Sequence, residues 1–230
     1  PAYTAAEAGY FLEDAEPRLV ICDPAKAAGL ATVAARLGAT VLTLDASGRG
    51  SFMDAVAAAV PLDSALPRDN DDLAAILYTS GTTGRSKGAM ISQGNLIANA
   101  RTLVACWRFS PEDVLLHALP IFHTHGLFVA SNVTLLAGAA MLFLPRFDAG
   151  EFLTLLGQAS VLMGVPTFYT RLLTQPGLTR EAVSHMRLFI AGSAPLLAET
   201  HRSFAARTGH HILERYGMTE TNMLTSNPYE

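Results

Sequence analysis

At 230 residues, half of them hydrophobic and with a net charge of −4, the chain can bury a sizeable core in one large domain or two modest ones. No face-sized run of Lys or Arg occurs, which argues against a nucleic-acid or acidic-membrane partner and leaves small molecules as the indicated ones. No stretch reaches the ~18 uninterrupted apolar residues of a membrane helix, no charged-then-apolar leader opens the chain, and Cys22 and Cys106 lie far apart in apolar runs. Together these predict a soluble, cytoplasmic protein with reduced thiols.

Short apolar runs alternate with longer segments of helical period, the pattern of a parallel sheet flanked by helices, so an α/β fold is expected. The first part reads helix 4–15, strand 18–22, helix 25–37, strand 40–44 and a short Ala-rich helix 51–59, punctuated by Pro17, Pro24 and Gly38. A polar, Pro-containing stretch, PLDSALPRDNDD, then marks a boundary between a partial α/β subdomain (1–62) and an α/β core (63–230).

In the core, strand 73–78 enters a loop rich in Gly, Ser and Thr, strand 89–92 leaves it, and Asn95 is placed to cap a helix reaching Trp107. Strands 114–119, 140–144, 161–165, 188–191 and 211–214 follow, alternating with helices 126–136, 149–159, 167–174 and 197–208.

The loop itself, YTSGTTGRSKGAM, carries the first chemical signal. Gly81, Gly84 and Gly88 allow the backbone to turn so that successive N–H groups face inward, and the hydroxyls of Thr79, Ser80, Thr82 and Thr83 add donors. With the mobile cation of Lys87 these make a cradle for phosphate oxygens. It is not the Walker loop, which requires Gly directly before the Lys and Ser or Thr after it, where this chain has Ser86 and Gly88.

YTSGTTGRSKG resembles the phosphate-loop signature of the adenylate-forming enzymes, the family of acyl-CoA synthetases, luciferases and peptide-synthetase adenylation domains. Three further motifs follow in the family's order: PIFHTHGL resembles its aromatic/His gate, GSAPL its adenine-pocket segment and RYGMTET its YGxTE signature. Within the family, GVPTFYTRLL and RYGMTETNMLTSNPY are most similar to malonyl-CoA synthetases. The resemblance implies the large N-terminal domain of a two-step, AMP-forming acid–thiol ligase that uses ATP with Mg²⁺ and takes a carboxylic acid, here malonate, and CoA.

Carried over residue by residue, the resemblance assigns Thr79, Ser80, Gly81, Thr82, Thr83, Gly84 and Lys87 to the β and γ phosphates. Gly192, Ser193, Ala194 and Pro195, with Arg215, Tyr216, Gly217, Met218 and Thr219, would form the adenine and AMP site; they follow the apolar run RLFIA, where open α/β sheets put ligands. Thr219 would donate to the α-phosphate and Glu220 would anchor Mg²⁺, a hard cation suited to carboxylate and phosphate oxygens. His123 would line the carboxylate pocket, and Arg171 with Ser193 would hold the second carboxylate of malonate, which a buried site must pair with a charged donor.

Read without the family, several of these residues keep ordinary alternatives. Glu220 is a surface carboxylate at a helix start, Arg171 a surface Arg beside an acid, and GSAP a tight turn. His123 and His125 have zinc-like spacing but no third ligand nearby. A non-catalytic nucleotide-binding module and an adenylating enzyme for another carboxylic acid, a fatty acid or an amino acid, also fit the ATP motifs, although no acidic anchor for an α-amino group stands in the pocket segments. The signature's Pro is replaced by Ser86, and the start at Pro1 and the end at NPYE suggest a piece of a longer protein. In that case an upstream portion and the small mobile C-terminal domain, with its Lys, are missing and little turnover is expected.

Overall fold

The computed structural model describes residues 3–79 and 85–230, which divide into two compact units, Pro1–Pro67 and Arg68–Glu230. In the first unit α1 (Ala5–Ala15), β1 (Leu19–Cys22), α2 (Pro24–Arg36), β2 (Thr40–Thr43) and α3 (Ser51–Ala58) follow one another. β1 and β2 pair in parallel, Leu19 opposite Thr40. Local chemistry sets the helix starts: Thr4 and Glu7 form a reciprocal capping box, and Asp23 caps α2 with Pro24 at its first position.

The second unit opens with an antiparallel hairpin, β3 (Leu73–Thr79) and β4 (Lys87–Ser92), in which Thr79 pairs with Lys87. The Gly/Ser/Thr loop therefore joins two strands of one hairpin. α4 (Gln93–Cys106) follows without a break. Its cap is Ser92 and not Asn95, because Ser92 Oγ accepts from Asn95 N while the Asn95 side chain returns to Ser92 N.

The remaining strands are β5 (Val114–His117), β6 (Ala140–Phe143), β7 (Val161–Gly164), β8 (Leu188–Ala191), β9 (Ile212–Met218) and β10 (Asn222–Ser226). They form a six-stranded sheet in the order β10-β9-β8-β7-β5-β6, parallel except for the antiparallel β10. β7 and β8, VLMG and LFIA, are buried at every position, as strands covered on both faces must be. Trp107, Phe152, Tyr169, Phe189 and Phe204 fill the core, packed with the helices α6 (Ala149–Leu156), α7 (Pro166–Leu173) and α8 (Ala198–Thr208).

Two elements differ from the sequence reading. The helix expected over 126–136 begins as a π-helix, His125–Ser131, and continues as the short α5 (Asn132–Leu136). The strand expected to stop at Glu214 runs on to Met218 and returns as β10. The turn between them closes with Thr221 N donating to Met218 O (3.2 Å), after which Asn222 takes the left-handed conformation at φ 54°. Glu220 thus sits at a hairpin tip, not at a helix start.

The sheet order places the ligand site. From β5 the chain moves outward to β6, then crosses back so that β7, β8 and β9 build on the other side. Between the carboxyl ends of β5 and β7 the connections diverge and open a crevice, the topological switch point of an open α/β sheet.

Candidate functional site

A cavity of about 530 Å³ occupies this crevice. The segment after β5 supplies Leu119, Pro120 and His123 to Gly126; the segment after β7 supplies Val165 and Phe168; Ser193 follows β8, and Arg215 and Gly217 to Thr219 come from the β9–β10 hairpin. Four separate chain segments thus converge on one volume.

Its first wall is held by His117, fully buried at the end of β5. Leu119 N donates to Nδ1 (3.2 Å), which leaves the proton on Nε2 to be donated to Gly126 O (3.0 Å) inside the π-helix. Burial lowers the His117 pKa, with a smaller upward pull from that carbonyl, so the ring works as a neutral brace. Replacing His117 by Leu strands the Leu119 N–H, and urea unfolding should show a loss of roughly 1–3 kcal/mol.

The brace fixes the neighbouring His125, whose Nδ1 lies 3.1 Å from Ser193 Oγ. Ser193 itself is held at φ 69°, a conformation few non-glycine residues adopt, which aims its hydroxyl at that ring. His125 is buried, and its pKa lies well below the ordinary value, first through burial and then through the neighbouring charge of Arg215. It is neutral at physiological pH.

Arg215 is the unusual group. It is only 6% exposed on β9, and a Cβ at Gly192 would run into its guanidinium, so glycine at 192 is what lets the side chain lie across the end of β8. Burial pulls its pKa down to about 10, offset in part by Tyr169, whose hydroxyl donates to Ile190 O (2.6 Å). Among the described residues, Arg215 Nε and Nη2, Thr124 Oγ1 and His125 Nε2 are buried polar atoms with no hydrogen-bond partner. These four belong to residues that line the cavity, while a fifth such atom, Asn222 Oδ1, lies outside its lining. Buried donors without partners are costly, so this concentration marks a place prepared for an acceptor.

Of the residues picked from sequence, the structure brings His123, Ser193, Arg215, Gly217, Met218 and Thr219 to the cavity. Gly192 directly follows β8 beneath Arg215, while Ala194 and Pro195 are exposed on the following turn. Tyr216, 58% exposed, and Glu220 are not among the residues that line the cavity, and Glu220 sits on the hairpin tip next to Thr219. Thr79 and Lys87 pair where β3 ends and β4 begins; Ser80, Gly81, Thr82, Thr83 and Gly84 lie outside the described residues.

Arg171 is not at the cavity. It lies exposed in the last turn of α7, its guanidinium 5.1 Å from the Phe147 ring centre; Phe147 stacks at 4.0 Å on Phe168, which does line the cavity. Thr124 and His125, by contrast, were not assigned a binding role in sequence. The signal available was the motif PIFHTHGL itself, which follows a strand end directly.

Among the described residues no cluster of three His, Cys, Asp or Glu side chains suits a metal ion, and no helix is long and apolar enough to cross a membrane.

The family model described as "AMP-binding enzyme" matches residues 1–230. The chain belongs to the AMP-binding enzyme family. Mitochondrial malonate–CoA ligase of Mus musculus is 37% identical over 97% of the chain, which covers 40% of that relative. Apo MatB from Rhodopseudomonas palustris superimposes with a TM-score of 0.96 at 65% identity, over 100% of this chain and 45% of that one. A malonyl-CoA ligase in a product complex with methylmalonyl-CoA and AMP matches at 35% identity and a TM-score of 0.78, over 97% of this chain and 46% of that one. The chain thus spans about two-fifths of the length of the curated relative, and as an AMP-binding enzyme chain it has the parallel-rich, helix-flanked sheet of these neighbours.

Proposed function

We propose that this chain forms the nucleotide- and acid-binding core of an ATP-dependent acid–thiol ligase whose acid is malonate or a closely related dicarboxylate. One observation carries the reading: the buried cation Arg215, unpartnered among the described residues, in a cavity shared with His123 and Ser193. A fatty acid has only the carboxylate that reacts, whereas the second carboxylate of malonate supplies the paired acceptors that a guanidinium fork requires.

In this reading the second carboxylate meets Arg215 and Ser193, with Arg171 one helical turn beyond Phe168 and free to swing from Phe147 toward the cavity mouth. His123 and Thr219 face the reacting carboxylate and the α-phosphate, and Thr79 to Gly84 with Lys87 take the pyrophosphate that leaves. The acid oxygen forms a bond to the α-phosphorus as the bond to pyrophosphate breaks. The CoA sulfur then bonds to the acyl carbon, AMP departs, and the thiol proton goes to solvent. Both steps bring anions together, so the residues act chiefly by neutralising and aligning charge. Gly192, Ala194 and Pro195, with Tyr216, Gly217 and Met218, frame the adenine.

Glu220 fits Mg²⁺ through its hard carboxylate oxygens, and an ion held by one carboxylate takes its remaining ligands from phosphates and water. Bound there, Mg²⁺ would supply charge neutralisation at the phosphate oxygens. A reducing, cytoplasmic setting suits the two free thiols, Cys22 and Cys106.

Calorimetric titration with Mg·ATP, with and without malonate, tests the reading. Malonate should tighten nucleotide binding, and Arg171→Met should weaken that effect about tenfold or more while improving a long-chain acid. Nucleotide binding that ignores malonate in the unmodified chain would refute the acid assignment.

A further inference from the structure

The β9–β10 hairpin ends in Thr219 and Glu220, which the proposed function puts against the α-phosphate and the metal, yet its outer strand is the edge of the sheet. An edge strand presents backbone N–H and C=O groups with no strand to receive them. At Met223 this edge is closed by a side chain from α4: Asn99 Nδ2 donates to Met223 O (2.8 Å) and Asn99 Oδ1 accepts from Met223 N (3.3 Å). A carboxamide carries a donor and an acceptor in one plane, so a single residue, 124 positions away in sequence, replaces the missing peptide group.

The place it occupies matters. The β9–β10 pairing shifts register between Met223 and Thr225, so ordinary sheet bonding gives out where Asn99 takes hold. On the other side the chains are pressed together: Gly217 pairs with Met223, and a Cβ at 217 would meet the Asn222 carbonyl and the Met223 side chain. Asn222, buried and left-handed, then turns the chain into the tip. The tip is therefore set from within by Gly217 and from without by Asn99.

α4 adds a second tie, Trp107 Nε1 donating to Ser226 Oγ (2.9 Å), and it begins at Ser92, where β4 ends. Asn99 lies two turns along, about 10 Å by helix rise, from the strand whose far end is Lys87. One helix thus supports both segments that the proposed function assigns to phosphates.

We propose that Asn99 is a positioning residue: by bonding both backbone groups of Met223 it fixes the β9–β10 bulge and so aims Thr219 and Glu220 at the phosphates. The phosphate part rests on the proposed function; the clamp does not.

The test compares Asn99→Asp, nearly isosteric but lacking the donor to Met223 O, with Asn99→Ala. In Asn99→Ala, hydrogen exchange should quicken about tenfold or more at the amides of Thr221 and Met223, and in Asn99→Asp, whose carboxylate still accepts from Met223 N, at Thr221, while the amides of β7 and β8 keep their protection in both. Mg·ATP should bind about tenfold more weakly to both variants, with adenosine, which has no phosphate, bound as before. Unchanged exchange at the tip in both variants would overturn the clamp. Exchange raised equally throughout residues 68–230, with no preferential loss of ATP over adenosine, would reduce Asn99 to general packing and also overturn it. If the unmodified chain binds no Mg·ATP, the proposed function fails, and the exchange pattern alone still decides for or against the clamp.

Discussion

Arg215→Met should make the chain more stable and at the same time deaf to malonate. The guanidinium is buried, with Nε and Nη2 unpartnered among the described residues, and burial holds its pKa at about 10, which corresponds to roughly 3 kcal/mol against the charged form. Met has a similar reach, no charge and no orphaned donor, so part of that cost is recovered; urea unfolding without ligand should show a gain of about 1–3 kcal/mol. The acid pays in the other direction, because losing a buried charge-assisted pair costs roughly 2–5 kcal/mol of binding, and the tightening of Mg·ATP by malonate should vanish. The pH dependence gives an independent check. A cation whose pKa is depressed by folding leaves the unfolded chain holding more protons, so stability rises as pH climbs through about 10, and Arg215→Met should lack that rise. A destabilised variant that still answers to malonate would mean that Arg215 is a structural residue with partners of its own.

Much of this site was legible because strands β7 and β8 read as unbroken apolar runs, VLMG and LFIA, and such strands place their carboxyl ends at a ligand crevice. Ser193 follows the second of them and proved to line the cavity. The hairpin did not read, for two reasons that share a cause. Arg215 puts a charged letter at a buried strand position, which breaks the alternation that would have carried the strand past Glu214. The left-handed turn residue is Asn222, where hairpin signals favour Gly. The local pattern was thus overridden at Arg215, a residue that lines the cavity, and at the turn beside it. Arg171 shows a different limit: sequence supplies the residue type and its helix, while the direction of a long side chain is decided by neighbours, here the Phe147 ring. Asn95 taught the same lesson at smaller scale, since Ser92 and Asn95 are both good caps and only the backbone conformation chooses between them.

Asp113→Ala should be among the most damaging single changes in residues 68–230, and its cost explains why the opposite end of the sheet can be left open. Asp113, 3% exposed just before β5, accepts from Arg187 Nε (2.7 Å) and Ser160 Oγ (2.7 Å) at one oxygen, and from Arg187 Nη2 (2.7 Å) and Ser110 N (2.9 Å) at the other. Arg187 precedes β8, Ser160 precedes β7, and the same guanidinium reaches Trp107 O (3.0 Å) and Arg108 O (3.1 Å) beyond α4. One carboxylate therefore ties together the amino ends of three strands and the end of a helix. Removing it strands a half-buried guanidinium, and urea unfolding should lose about 3–5 kcal/mol. Arg187→Met in the Asp113→Ala background should restore part of this, since the stranded charge goes with it. Burial pushes the Asp113 pKa up, but Arg187, Ser160 and Ser110 outweigh it and leave the value below the ordinary one. The stabilisation is therefore complete above the ordinary carboxylate range and fades as pH falls through the lowered value, a dependence that Asp113→Asn should abolish. With the amino ends locked in this way, the carboxyl ends can hold unpartnered donors around a cavity without loosening the sheet. If Asp113→Ala instead lost less than about 1 kcal/mol, that division of labour would fail.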